Sequence, residues 1–290
     1  MSSISFVFCL FLCFTACSTP PPLEPEPSEK TKKDAGQPEQ QQQDFTQNRC
    51  KGNNDGIIDW NEVQFVAGAS ANVLRNPPGK VIKVNHAGRV NDNGVRVWDF
   101  RNTAADYSAK VKTVDPTGKW FLSSFPKANL LTPTELSGYK GELYQVYSTS
   151  SKTLFLEGIA SEKEKPDGDK ILLPYETPVP LLRFPLREGK EWLVTSKAKG
   201  VIQGLPVTST DRYHIKVAGR GSVILPDIQF DNSLKIVLHV QQRLLGGQSR
   251  RLYQVLFMHE CYGEIVRIES KENESSESFN QARLLRFISF

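Results

Sequence analysis

The sequence predicts a mainly β protein: a large antiparallel sheet, curved into a half-barrel or folded as a sandwich, with little helix. A signal peptide and a disordered linker are expected ahead of it. Three observations carry this reading. Apolar and polar residues alternate along runs such as Leu234–Leu244, turn clusters separate such runs from residue 63 onward, and the first 48 residues lack the composition of a core. The whole chain is ordinary in content: 290 residues, 39% hydrophobic, 23% charged, net charge +4 and mean hydropathy −0.39. That is chain enough for a sizeable core and excludes a polytopic membrane protein. So small a net charge also excludes a strongly basic nucleic-acid binder.

Residues 1–16 read as a signal peptide. Ile4 to Phe14 form an uncharged apolar run of 11 residues, too short for a membrane span of roughly 20 residues but suited to the apolar region of a signal. From these residues alone, a plain secretory signal and an uncleaved apolar tail both stay open. The following Phe14-Thr15-Ala16-Cys17 resembles the lipobox of bacterial lipoprotein precursors. The resemblance implies cleavage before Cys17, acylation of its thiol, and a membrane as the partner of those acyl chains. Ser18 in place of Asp implies sorting to the outer membrane.

Residues 17–48 read as a lipid-anchored disordered linker. Prolines at 20, 21, 22, 25, 27 and 38 and a glutamine run from 40 to 43 leave almost nothing apolar to offset the entropy of folding. Such a spacer is what a tethered domain needs, so the two segments support each other.

Residues 49–290 are expected to form one β-rich domain. Cys9 and Cys13 leave with the signal and Cys17 takes lipid, so Cys50 and Cys261 remain. In an exported protein these two most simply form a disulfide, two buried free thiols being the alternative. The domain opens on Lys51-Gly-Asn-Asn-Asp-Gly-Ile-Ile-Asp-Trp-Asn-Glu62, which resembles the EF-hand calcium loop. The resemblance implies weak calcium binding through Asn53, Asp55, Asp59 and Glu62, with Lys51 standing where the loop needs its first carboxylate. The residues equally fit an Asp-Gly turn held by local side-chain hydrogen bonds and pinned by Cys50.

Strands are then expected near 81–84, 95–100, 107–114, 120–125, 143–147, 154–159, 171–173, 191–195, 213–217, 222–225, 234–244, 251–259, 264–268 and 284–290. In two of these, Leu234, Ile236, Leu238 and Val240 oppose Lys235 and His239, and Tyr213, Ile215 and Val217 oppose His214 and Lys216. One dry face and one wet face follow. Turns are expected at Asn93-Gly94, Pro116-Thr117-Gly118, Pro166-Asp167-Gly168, Gly219-Arg220-Gly221 and Gly246-Gly247. The one clear helical signal is the capping box Thr132-Pro133-Thr134-Glu135, stopped at once by Gly138.

Phe184-Pro185-Leu186-x-x-Gly189-x-x-Trp192 resembles a motif of uncharacterised bacterial envelope proteins and lipoproteins, whose β domain is related to the half-barrel of periplasmic lipoprotein carriers. On physical grounds a strand is expected to start at Pro185, with a turn at Gly189 and Trp192 as a large anchor on the concave face.

No enzyme motif is present: there is no G-x-S-x-G and no phosphate-binding P-loop, and His259-Glu260-Cys261 lacks the partners of a zinc site. A non-enzymatic role is therefore expected, with no cofactor unless the loop takes calcium, and no nucleic acid. Two functions remain. A tethered carrier would cup a hydrophobic ligand in its curved sheet, with Phe184, Trp192 and Tyr253, and also Phe125, Tyr144 and Phe155, as lining. A structural or interaction lipoprotein would have a solid core and bind another envelope protein.

Overall fold

The computed structural model describes residues 50, 52–136, 139, 141–164, 170–245, 247 and 249–290. The chain divides into Met1–Gln47 and Asn48–Phe290, and every described residue belongs to the second unit. Cys17, the 17–48 linker, Lys51, Gly138, the Pro166-Asp167-Gly168 turn and Gly246 lie outside the described residues.

Among the described residues, fifteen strands build the domain: β1 (Ser70–Arg75), β2 (Ile82–Lys83), β3 (Arg89–Val90), β4 (Arg96–Asp99), β5 (Tyr107–Lys112), β6 (Leu130–Thr134), β7 (Leu143–Ser150), β8 (Thr153–Ser161), β9 (Leu172–Arg183), β10 (Glu191–Ile202), β11 (Leu205–Ile224), β12 (Gln229–Leu244), β13 (Ser249–His259), β14 (Gly263–Ser270) and β15 (Gln281–Ile288). From β6 to β15 each strand pairs with the next in an antiparallel meander. The path then continues through β1 to β5, so that β5 and β6 are its two ends. The sheet is nearly closed into a barrel. Val114, two residues past β5, makes an antiparallel bridge to Leu131 of β6 with two hydrogen bonds of 2.9 Å, which draws the ends together at one point.

Side-chain alternation fills both faces. Tyr147, Leu156, Val179, Trp192, Ile215, Ile236 and Leu256 pack in an inner cluster, which Ile58 and Val63 of the entering chain complete. Val237, Val255, Phe257, Ile268 and Leu285 point the other way and meet Ile82, Val84, Trp98 and Phe100. A smaller cluster joins Phe121 and Phe125 to Leu131, Tyr144, Val146 and Ala160. The expected wet face is thus wet only in part. His214 on β11 is exposed, whereas Lys235 on β12 is partly covered and donates to the carbonyl of His86 at 2.7 Å.

Four local expectations are overturned. Residues 120–125 are turns and a 3₁₀ helix (Leu122–Ser124), because Phe121 and Phe125 are spaced for one side of a helical turn rather than alternating. Thr132–Thr134 form the end of β6 instead of opening a capped helix, since their backbone is claimed by β7 through Thr132–Gln145 and Thr134–Leu143. Gly219-Arg220-Gly221 lies inside β11, not at a hairpin turn. There β4 runs parallel to β11, and a Cβ on Gly221 would stand 2.2 Å from the Arg96 carbonyl oxygen. Glycine is needed for that approach. Pro185 starts no strand: it follows the end of β9, and its neighbour Leu186 bridges to Ile58.

Candidate functional site

The seam between β5 and β6 opens beside the Val114–Leu131 bridge. The bridge places the Leu131 N–H and carbonyl toward β5, and residues two apart along a strand point their backbone groups the same way. Residue 133 is therefore the next to face β5. It is proline, which has no N–H to donate. Closure stops there.

A cavity of about 680 Å³ occupies the opening. Val73 and Arg75 of β1, Ala109 and Val111 of β5, Pro133 of β6, Leu143 and Tyr144 of β7, Arg267 and Glu269 of β14, and Arg283, Leu284 and Arg286 of β15 line it. Five basic side chains (Arg75, Lys110, Arg267, Arg283 and Arg286) meet three carboxylates (Glu135, Glu142 and Glu269) around the lining.

The arginines are held by ion pairs across neighbouring strands. Glu264 accepts from Arg267 Nε at 2.9 Å and Nη2 at 2.5 Å, and from Arg286 Nη2 at 2.8 Å. Glu269 accepts from Arg283 Nη2 at 2.9 Å and Gln254 Nε2 at 3.3 Å. Burial alone would raise the Glu264 carboxyl, but the charges of Arg267 and Arg286 and their hydrogen bonds outweigh it and hold its pKa at about 2. Beside them Tyr147 is pushed up to about 12, chiefly by burial.

At the rim, Arg75 reaches across the seam and donates to both carboxylate oxygens of Glu135, at 2.6 and 3.2 Å. The side chain of Arg75 is 16% exposed and that of Glu135 is 70% exposed. The Arg75 hydrogen bond lowers the Glu135 carboxyl, with help from the charges of Arg75, Arg283 and Arg286 against a desolvation cost. The side chain that looked like part of a helix cap is the far half of a clasp.

The aromatic residues expected to line a ligand site are divided among three packed clusters, with Phe184 and Trp192 sharing one. Phe184 packs against Trp60 and Phe65, with ring centroids at 5.4 and 6.0 Å. Trp192 is buried in the same inner cluster and donates its indole N–H to the Pro180 carbonyl at 2.8 Å. Tyr253 lies on the opposite face, stacked on His239 at 4.3 Å. Phe125 belongs to the third cluster, Phe155 is half-buried, and of the six only Tyr144 lines the cavity. A second polar group, invisible to sequence reading, sits inside the barrel: Tyr175 OH donates to Asp211 Oδ2 at 2.6 Å and lies 2.7 Å from Tyr213 OH. Burial holds the Asp211 carboxyl above its usual range.

The Asp-Gly loop is built as a turn. The Asp55 N–H bonds to Asn53 Oδ1 at 3.0 Å, and Asp55 Oδ1 accepts from the Ile57 N–H at 2.7 Å. Glu62, buried, accepts from the Asp59 N–H at 2.8 Å. Among the described residues no group of three or more His, Cys, Asp or Glu side chains could hold a metal ion. The calcium expectation for Asn53, Asp55, Asp59 and Glu62 therefore finds no metal-binding cluster in this structure. Cys50 and Cys261 form the expected disulfide, with Cα atoms 5.3 Å apart, and it ties this loop to the end of β13.

With the geometry in view, the chain can be set beside known proteins. No protein-family model, curated protein or solved structure matches it.

Proposed function

We propose that the chain is a membrane-tethered, non-enzymatic lipoprotein of the bacterial envelope that binds a hydrophobic ligand in the seam cavity. The observation that carries the binding role is the cavity itself, whose volume of about 680 Å³ lies within the range of small-molecule sites. The tether rests on the lipobox-like Phe14-Thr15-Ala16-Cys17 and the proline-rich spacer after it, and Ser18 favours the outer membrane. Acyl chains at about 0.8 kcal/mol per buried CH₂ make such an anchor durable.

Two measurements test this. Native mass spectrometry of the intact chain released from membranes is expected to show a co-purified apolar ligand, or uptake of an added one. A spectrum that stays ligand-free throughout overturns the binding role. Cys17→Ala is expected to shift the protein from the membrane pellet to the soluble fraction, and unchanged fractionation overturns the tether.

A structural lipoprotein that recruits an envelope protein is the second reading. It is favoured by the solid packing of Trp60, Phe65, Phe184 and Trp192 across the rest of the interior.

A further inference from the structure

We infer that the seam cavity selects amphiphiles with an anionic headgroup, and that the Glu135 carboxylate occupies the headgroup's place until the ligand displaces it. The inference rests on the ligand-binding reading and names the class of ligand.

Charge is the first argument. Five cations face three carboxylates in the lining and Glu264 just behind it, which leaves an excess of one positive charge. The inner carboxylates are already engaged, Glu264 by Arg267 and Arg286, and Glu269 by Arg283. A surplus of positive charge in a recess attracts an anion more strongly than the same surplus on an open surface.

Geometry is the second. The ion-pair partner of Arg75 is Glu135, which lies one residue past the end of β6 with most of its side chain in water. Releasing it carries little desolvation cost, because the carboxylate is already mostly in water. Arg75 is itself mostly covered, so its planar fork stays in place to receive a carboxylate or phosphate through two parallel hydrogen bonds. Farther in, the Arg283 Nε–H is buried without a hydrogen-bond partner among the described residues, and an incoming headgroup oxygen would satisfy it. Val73, Val111, Leu136, Leu143 and Leu284 supply apolar lining for the tail.

The test titrates the intact chain with dodecanoate, dodecyl phosphate, dodecanol and inorganic phosphate, with binding read by native mass spectrometry. Both amphiphilic anions are expected to bind about tenfold more tightly than dodecanol. The ratio between those two separates a carboxylate ligand from a phosphate one. Glu135→Gln is expected to tighten both by up to about fivefold and to leave dodecanol unchanged. Arg75→Gln is expected to weaken both several-fold and to leave dodecanol unchanged. Circular dichroism confirms that it folds, and the exposed Glu135→Gln tests the same clasp without touching a buried group.

Equal binding of dodecanol and the anions, with neither variant having an effect, overturns the anionic subsite and leaves the cavity reading standing. Binding of inorganic phosphate as tight as that of dodecyl phosphate overturns the amphiphile. No uptake of any probe overturns both the subsite and the binding role beneath it.

Discussion

Cys261→Ser is expected to lower the unfolding free energy by about 2–5 kcal/mol, the range found when a native disulfide closing a long loop is removed. The partners are 211 residues apart, so the bond removes a large share of the freedom of the unfolded chain. In the folded state it seals the entry of the chain into the barrel. Just past it, Ile58 is fully buried and exchanges hydrogen bonds of 2.9 and 2.8 Å with Leu186. Trp60 and Phe65 then cover Phe184. Asn54 adds anchors to Glu260 and Asn232, at 2.7 and 3.0 Å. These contacts survive in the variant, so it is expected to fold and to unfold at lower denaturant. Urea titration followed by tryptophan fluorescence measures the shift, and a midpoint equal to the parent's would refute it.

Glu264→Gln is expected to cost about 3 kcal/mol near neutral pH. The side chain is 22% exposed and serves two arginines at once. The amide keeps the shape but removes the charge, which leaves Arg286 and Arg267 facing each other across β14 and β15 with only Glu269, 3.8 Å from Arg267, to relieve them. The pH dependence identifies the cause. The folded-state pKa of about 2 lies below the ordinary value of 4.5. The stability it contributes is therefore fully present above about pH 4.5 and is lost as pH falls through about 2. Parent and variant are expected to differ most near neutrality and to converge near pH 2. A gap that stays constant over this range would mean that the variant disturbs packing rather than charge.

The β class, the curved antiparallel sheet and the Cys50–Cys261 pair could all be read in the sequence, because alternation and cysteine bookkeeping are local or nearly so. The strands that escaped reading did so for different reasons. Three prolines (174, 178 and 180) interrupt β9, which looked like a short strand at 171–173, yet it runs to Arg183 because its pairing with β10 is limited to Tyr175–Ala198 and Leu172–Val201. Proline is tolerated where few ladder bonds are asked of it. Ser70–Arg75 gave no strand signal of its own and becomes β1 through its partners β5 and β15.

The cavity was the least legible part. Arg267 and Glu269 alternate with apolar residues as they would on any solvated strand face, and Arg283 and Arg286 flank two leucines with no pattern that marks a cavity. Only the curl of the sheet turns that face inward. Likewise, nothing near Thr132–Glu135 announces that Arg75, 60 residues earlier, will claim the glutamate. The capping-box pattern was a true local preference that long-range pairing overrode.

The pairing of β1 with β15 also sets an order of events. The first strand of the sheet pairs with β5 nearby in the chain, but its other neighbour is residues 286–288 of β15, far along the chain. Strands β6 to β14 can zip together as they emerge, each onto the one before. The β1–β5 pair joins that sheet at its β15 edge only once β15 is present, and Cys50 likewise bonds only to the distant Cys261. A sheet of this topology stays incomplete until β15 is in place.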